Sequence, residues 1–363
     1  MKELSIWRAD EKASYLLRKL YRQHGYLPYH MSKFEEYDLY VRNKNFLVSD
    51  RILTFTDTDG RLMALKPDVT LSIVKNTPDC AGSLHKVYYN EHVYRTSAAG
   101  TGYREIMQTG LECMGELDTM AVAEVIALAC QSLEAISGEY LLDLSHMGFV
   151  AGLTAQLEDK LRKDILTEMG RKNTAAIAAL CCQAGIDPKL QRQLETLTTL
   201  YGPPAEILPR LEDMAEDSAS REAWLELKEL CALLERMGAS GSLRLDFSIV
   251  NDMNYYNGVI FRGYLPGLAS GVLSGGRYDK LLQRMGKQGG AIGFAVYLDQ
   301  LERLSGSDTG YDADILLLYS AADDPAAVAE SACRLRRQGQ SVRVERCVPD
   351  EGRFKEIITH REG

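Results

Sequence analysis

Between Tyr88 and Glu112 the chain reads YYNEHVYRTSAAGTGYREIMQTGLE, a stretch able to place one cation, two carboxylates and an amide around a small zwitterion. A zwitterion taken out of water needs opposite charge at each end, and a bound N–H needs an acceptor. Arg95, Gln108 and Glu112 are residues of those types. Three further stretches carry similar groups: ALKPDVT at 64–70, IVNDMNYYNGVIF at 249–261 and SGGRYDKLLQRMGKQGGAIGFAVYLDQLERL at 274–304. Taken singly, each residue also has an ordinary structural role. Glu112 could be a buried carboxylate paired with Arg95, and Tyr255 and Tyr256 could be core aromatics. Asp68, after Pro67, could cap a helix over VTLSIVKN. Other chemistries find no motif: G-x-x-x-x-G-K-[ST], H-E-x-x-H and G-x-S-x-G are all absent from the sequence. The Gly275-Gly276-Arg277-Tyr278 run reads as a glycine turn serving backbone geometry.

These residues need a scaffold, and the hydropathy pattern supplies one. Ala13, Leu16, Leu17, Leu20 and Tyr21 share one helical face, with Gly25 placed to end the helix. Segments 26–50 and 51–65 are aromatic and β-branched and are broken by Asp59-Gly60, which predicts a hairpin. Strands are expected over 86–95 and 105–114, a helix over 119–137 and a strand over 140–145. From about 150 to 237 apolar residues recur every three to four positions, an all-helical segment. Strands return at 243–250 and 259–264, and 291–304 reads as a strand running into a helix. A short β-α-β tail follows, over 314–319, 325–338 and 341–346. The order fits an α+β fold with an antiparallel sheet better than a parallel doubly wound one.

Composition narrows the field. With 363 residues, 45% apolar and 26% charged, the chain can bury a large core as one domain with appended parts, or as two. Its 42 Lys plus Arg against 51 Asp plus Glu give a net charge of -9, which repels phosphate backbones. The basic run Arg334, Arg336, Arg337, Arg343 and Arg346 reads as a solvated face. The start, MKELSIWRADEKASYLL, lacks signal-peptide character, and no apolar run approaches the roughly 18 residues of a membrane span. A cytoplasmic protein is expected. Eight cysteines (80, 113, 130, 181, 182, 231, 333, 347) show no metal-ligand spacing and read as reduced, structural thiols.

The four stretches, in this order, resemble the histidyl-tRNA synthetase family of class II synthetases over nearly all of residues 1–305. VYRTSAAGTGYRE matches the family's motif two, NYYNG and GGRYD its histidine-specific signatures, and GFAVYLDQ the start of its motif three. Motif one is weaker, with Ser32 where the family usually has proline. The resemblance implies a class II synthetase-like antiparallel sheet core with flanking helices over 1–305, a helical insertion over 150–237, and a truncated C-terminal α/β segment over 312–363. It also implies a histidine pocket. Asp68 and Thr70 match the groups that receive the α-ammonium, and Gln108 and Glu112 the inner-strand pair that contacts the amino acid. Tyr255, Tyr256 and Tyr278 match the tyrosines around the imidazole, and Arg95 the motif-two arginine.

Three positions depart from the family pattern. Asn251 falls where an arginine promotes adenylate formation, Asn254 where aspartate is usual, and Gln300 where motif three supplies an ATP-binding arginine. Attack of a carboxylate on an α-phosphate brings anions together, and losing one preorganised cation costs on the order of 3 kcal/mol. Two such losses leave little catalysis. The pattern is similar to the branch of the family that serves as regulatory subunits for the short catalytic form of ATP phosphoribosyltransferase, in the first step of histidine biosynthesis. That likeness implies a non-catalytic, allosteric role in feedback inhibition, with L-histidine as effector. It further implies dimers assembled into a hetero-octamer of four subunits of each kind, no cofactor or metal, and neither tRNA nor membrane as partner. Two alternatives stay open: an active histidyl-tRNA synthetase-type enzyme, and a synthetase-derived dimer that binds another protein.

Overall fold

The structure is a computed structural model that describes residues 7–44, 51–78, 82–96, 102–239, 241–250, 255–304 and 311–360. It divides into two units, Met1–Leu304 and Ser305–Gly363.

In the larger unit the first apolar stripe forms α1 (Ala9–Gln23), which buries Ala13, Leu17 and Tyr21. It ends before Gly25, whose φ of 79° suits only glycine without strain. β1 (Leu27–Pro28), β2 (Phe34–Glu36), α2 (Tyr37–Arg42), β3 (Thr54–Thr56) and β4 (Leu62–Leu65) follow. The Asp59-Gly60 hairpin forms between β3 and β4, with β2 on the other side of β4. The helix α2 was not expected in a segment read as aromatic and β-branched; Tyr40, wholly buried, anchors it. Next come α3 (Thr70–Asn76), the long strands β5 (Leu84–Thr96) and β6 (Tyr103–Gly115), α4 (Thr119–Ile136) and β7 (Leu141–His146).

Six helices then succeed one another: α5 (Met147–Leu153), α6 (Asp159–Gly170), α7 (Thr174–Gln183), α8 (Pro188–Thr199), α9 (Pro204–Glu212) and α10 (Ser218–Arg236). One strand interrupts them, β8 (Tyr201–Gly202), so the expectation of an all-helical segment is corrected there. β9 (Leu243–Asp246), β10 (Val259–Tyr264), β11 (Leu273–Arg277), α11 (Asp279–Arg284), β12 (Gly290–Tyr297) and a 3-10 helix, Leu298–Leu304, complete the unit. β9 is shorter than expected because the chain turns at Asp246, where a carboxylate oxygen takes the Ser248 N–H at 2.8 Å. The expected glycine turn at 275–278 is also corrected, since Gly275 and Gly276 lie within β11.

Among the described residues, nine strands form one sheet in the order β1-β5-β6-β12-β11-β10-β7-β9-β8. Neighbours are antiparallel except β1 with β5 and β7 with β9. Alternation sorts the two faces. In β6, Leu111 and Cys113 enter a large apolar core, and Gln108, Gly110 and Glu112 point the other way. That core takes Leu17 from α1, Ile126 from α4, Phe149 from α5, Leu194 from α8 and Leu227 from α10 as one contiguous cluster. The helices between β7 and β9 therefore share the sheet's core. α4 is long and apolar enough to cross a membrane, yet most of it is buried here, and Asp118 caps it by accepting the Ala121 N–H at 2.7 Å.

The smaller unit contains β13 (Ala313–Leu318), α12 (Pro325–Arg337), β14 (Val342–Glu345) and β15 (Phe354–Thr359), with β13 parallel to both of its neighbours. β15 is one strand more than the expected β-α-β. The arginines here are engaged locally: Arg336 donates to the Val342 carbonyl at 2.8 Å, Arg343 to Glu345 at 3.0 Å, and Arg346 lies over the Tyr319 ring.

A shared core makes a direct prediction. Leu227→Ala should cost about 2–5 kcal/mol and raise amide exchange in β6 and β10 as well as in α10, measured by hydrogen exchange. Acceleration confined to α5–α10 would show that the helices fold as a separate layer.

Candidate functional site

The side chains of interest converge on the sheet face opposite the main core. Glu112, three residues before the end of β6, is fully buried. Its Oε1 accepts a hydrogen bond from Thr70 Oγ1 at 2.8 Å, and its Oε2 accepts one from the Tyr278 hydroxyl at 2.5 Å. Thr70 opens α3, and Tyr278 directly follows β11. Tyr255 stacks against Tyr256 and Tyr278, with ring centroids 4.4 and 5.8 Å away. Asp68 is buried just before α3, where its Oδ1 accepts the Leu71 N–H at 3.0 Å. The N-cap residue is Val69, so Asp68 is not the cap itself but holds a first-turn N–H from one residue before it, and its neighbourhood includes Arg95, Tyr255 and Glu112.

The alternative role of Glu112 is excluded. Glu112 is not paired with Arg95, because both of its oxygens are taken by hydroxyls. Arg95 instead donates Nε to the Pro67 carbonyl at 2.9 Å and acts on Asp68 through its charge. Asn251 and Asn254 lie outside the described residues. Gln300 lies within them, and its Oε1 accepts from Ser270 Oγ at 2.7 Å.

Glycines make room for the acid. Gly293 of β12 faces Glu112, and Gly276 of β11 faces Gly293. A Cβ on Gly293 would lie 1.7 Å from Glu112 Oε2, and one on Gly276 would lie 2.6 Å from the Tyr256 ring. At Gly110 a Cβ would meet the Tyr89 hydroxyl at 2.6 Å. Tyr89 escaped the sequence reading, although it alternates with Val87 and Glu91 on the pocket face of β5. Gln108 is buried on the same face as Glu112, and among the described residues its Nε2 has no hydrogen-bond partner. A buried donor left unpaired costs about 1–3 kcal/mol, a cost that an acceptor on a bound molecule would remove.

The electrostatics follow from burial. Burial pushes Glu112 from the usual 4.5 to about 8; the Tyr278 and Thr70 hydroxyls oppose the shift and Asp68 adds to it. Burial also raises Asp68, opposed by Arg95 and by backbone N–H groups. Tyr255 and Tyr278 are held well above the ordinary phenol range, first by burial and then by the nearby acids, so they stay neutral donors. The pocket thus joins two acids, one guanidinium and an unpaired amide, a set suited to an ammonium group and to a polarisable N–H. Among the described residues no group of His, Cys, Asp or Glu could hold a metal ion.

Comparison with known proteins places this geometry. The family model for histidyl-tRNA synthetase matches residues 5–301. The chain is 28% identical over 341 residues to the ATP phosphoribosyltransferase regulatory subunit of Acetivibrio thermocellus, covering 91% of this chain and 81% of that one. Among solved structures, it resembles an ATP phosphoribosyltransferase regulatory subunit/histidyl-tRNA synthetase from Bacillus halodurans, with a TM-score of 0.78 at 23% identity, over 97% of this chain and 93% of the other. It also resembles a chain of the ATP phosphoribosyl transferase (HisG:HisZ) complex from Thermotoga maritima, with a TM-score of 0.62 at 20% identity, over 78% of this chain and 96% of that one. Both structural likenesses establish the fold as that of the class II synthetases.

Two measurements follow. The folded pKa of Glu112 lies above its unfolded value, so its protonation stabilises the fold fully below about pH 4.5 and that contribution fades as pH rises to about 8. The stability of wild type relative to Glu112→Gln should therefore fall across that window in denaturant titrations and level off above it; a flat difference contradicts the assignment. Gly293→Ala should cost about 1–3 kcal/mol in thermal unfolding. Gly138→Ala, where a Cβ meets nothing within 4 Å, should cost little.

Proposed function

We propose that this chain, which belongs to the histidyl-tRNA synthetase family, is a non-catalytic regulatory subunit of ATP phosphoribosyltransferase, acting in the first step of histidine biosynthesis. Its partner is the short-form catalytic subunit, in a hetero-octamer of four subunits of each kind built on dimers of this chain, in the cytoplasm. The relatives similar to it over most of its length carry that name, and one solved likeness is a chain of such a complex. One observation carries the loss of synthetase chemistry. The carboxylate pocket around Glu112 is built and buried, while Gln300, at the position of the family's motif-three arginine, places a neutral amide on Ser270.

The pocket's occupant, in this reading, is L-histidine. Asp68 and Thr70 receive its α-ammonium and Gln108 accompanies its α-carboxylate with the charge of Arg95 near. The imidazole meets Glu112 among Tyr255, Tyr256 and Tyr278. Glu112 holds a proton near neutral pH, so an entering neutral imidazole can share it and form an imidazolium–carboxylate pair without drawing a proton from water. Bound histidine biases the assembly towards a less active arrangement. Such coupling is usually about 1–3 kcal/mol and is reciprocal, so substrates of the catalytic subunit weaken histidine binding in the complex.

Reconstitution tests the proposal. Adding this chain to a short-form catalytic subunit should raise ATP-dependent phosphoribosyl transfer, and histidine should lower it again. The chain alone should give no histidine-dependent ATP–pyrophosphate exchange. Unchanged transfer would sink the regulatory reading, and robust exchange would restore the synthetase alternative.

A further inference from the structure

The pocket's aromatic wall is tied to the helical layer through a chain of hydrogen bonds that joins Asn257, Arg277 and Asp279 of the synthetase signatures to Glu226 and His146, which lie outside them. Glu226 projects from the middle of α10. Its Oε2 lies 3.2 Å from Nε2 of the buried His146, at the end of β7, and its Oε1 accepts from Arg277 Nη1 at 3.3 Å. Arg277, the last residue of β11, also directs Nε at both oxygens of Asp279, at 2.8 and 3.1 Å. Asp279 in turn accepts the Ala291 N–H at 2.9 Å and Asn257 Nδ2 at 3.1 Å. The Asn257 N–H donates to the Arg277 carbonyl at 3.1 Å. Gly258 lets Arg277 lie against the backbone there, since a Cβ would stand 2.9 Å from Arg277 Cδ.

This network brackets the ligand-facing tyrosines in sequence. Asn257 directly follows Tyr255 and Tyr256, and Arg277 and Asp279 flank Tyr278. Tyr278 is held by its N–H on the Ala291 carbonyl at 2.7 Å and by its hydroxyl on Glu112. The only ionic links from α10 into this network among the described residues are those of Glu226 to His146 and Arg277. The His146 hydrogen bond, with Arg277 beside it, holds the Glu226 carboxyl below its usual range, so it is an anion at neutral pH.

Resting on the histidine-pocket reading above, we propose that Glu226 is a positioning residue for ligand binding: it fixes Arg277, and through it the Tyr255–Tyr278 wall, so that α10 sets the affinity of a pocket it does not line. Removing its charge frees Arg277 to pivot about Asp279, and Tyr278 loses its fixed approach to Glu112.

Calorimetric titration of the full chain with L-histidine tests this across wild type, Glu226→Gln, Glu229→Gln, Tyr278→Phe and the double variant Glu226→Gln with Tyr278→Phe. Glu226→Gln should weaken binding about three- to tenfold, and the exposed Glu229→Gln should stay within about twofold. In the Tyr278→Phe background the Glu226 change should add almost nothing, because both act through one side chain. A merely structural role would give the same loss in both backgrounds and would overturn the proposal, as would unchanged affinity in Glu226→Gln. If Glu226→Gln does not fold, Glu226→Asp, which keeps the charge but not the reach, replaces it with the same expected loss. A wild-type chain that binds no histidine would overturn the pocket reading together with this coupling.

Discussion

The large unit is organised around a carboxyl group that should not be where it is. Glu112 is buried on β6, an inner strand of the sheet, and an ionised carboxylate there without partners would cost several kcal/mol. Its environment lowers that cost in two ways: hydroxyls of Thr70 and Tyr278 occupy one oxygen each, and burial raises its pKa so that it carries a proton near neutrality. Both solutions impose geometry elsewhere. α3 must begin at Thr70, β11 must deliver Tyr278, and β12 must offer glycine across from the acid.

This explains why glycines occur in the middle of strands, where they cost stability. Gly276 and Gly293 form the floor over which the Tyr256 ring and the Glu112 carboxyl lie. A side chain at either position would collide with the Glu112 carboxyl or the Tyr256 ring. On the opposite face, α1, α4 and the helices from α5 to α10 pack with the sheet as one close-packed core.

Much of this was legible in sequence, for identifiable reasons. α1, β5, β6, α4 and β10 carry strong periodicity and long apolar runs, and they form close to their expected bounds. α2, β8 and β15 were missed. α2 and β8 are six and two residues long, and β15 reads FKEIIT, mostly exposed and without a period-two pattern, so tertiary pairing rather than local pattern sets these elements. The residues brought to the pocket were named in advance through family resemblance, and their partners were not. Spacing alone cannot show that Glu112 takes Thr70 and Tyr278 rather than Arg95, because that choice depends on how β6, α3 and β11 meet in space. Tyr89 and Glu226 were missed for the same reason: one was hidden in an apolar alternation, the other on an amphipathic helix.

The proposed function requires that the Glu112 pocket bind an amino acid that the chain does not activate. Isothermal titration of the wild-type chain and Glu112→Gln with L-histidine at neutral pH reads that directly. The account predicts saturable binding of one histidine per chain, weakened at least about tenfold by the substitution, as expected when a charge-assisted contact of about 1.5–3 kcal/mol is lost. Equal affinity in both proteins, or no saturable heat in the wild type, would contradict it.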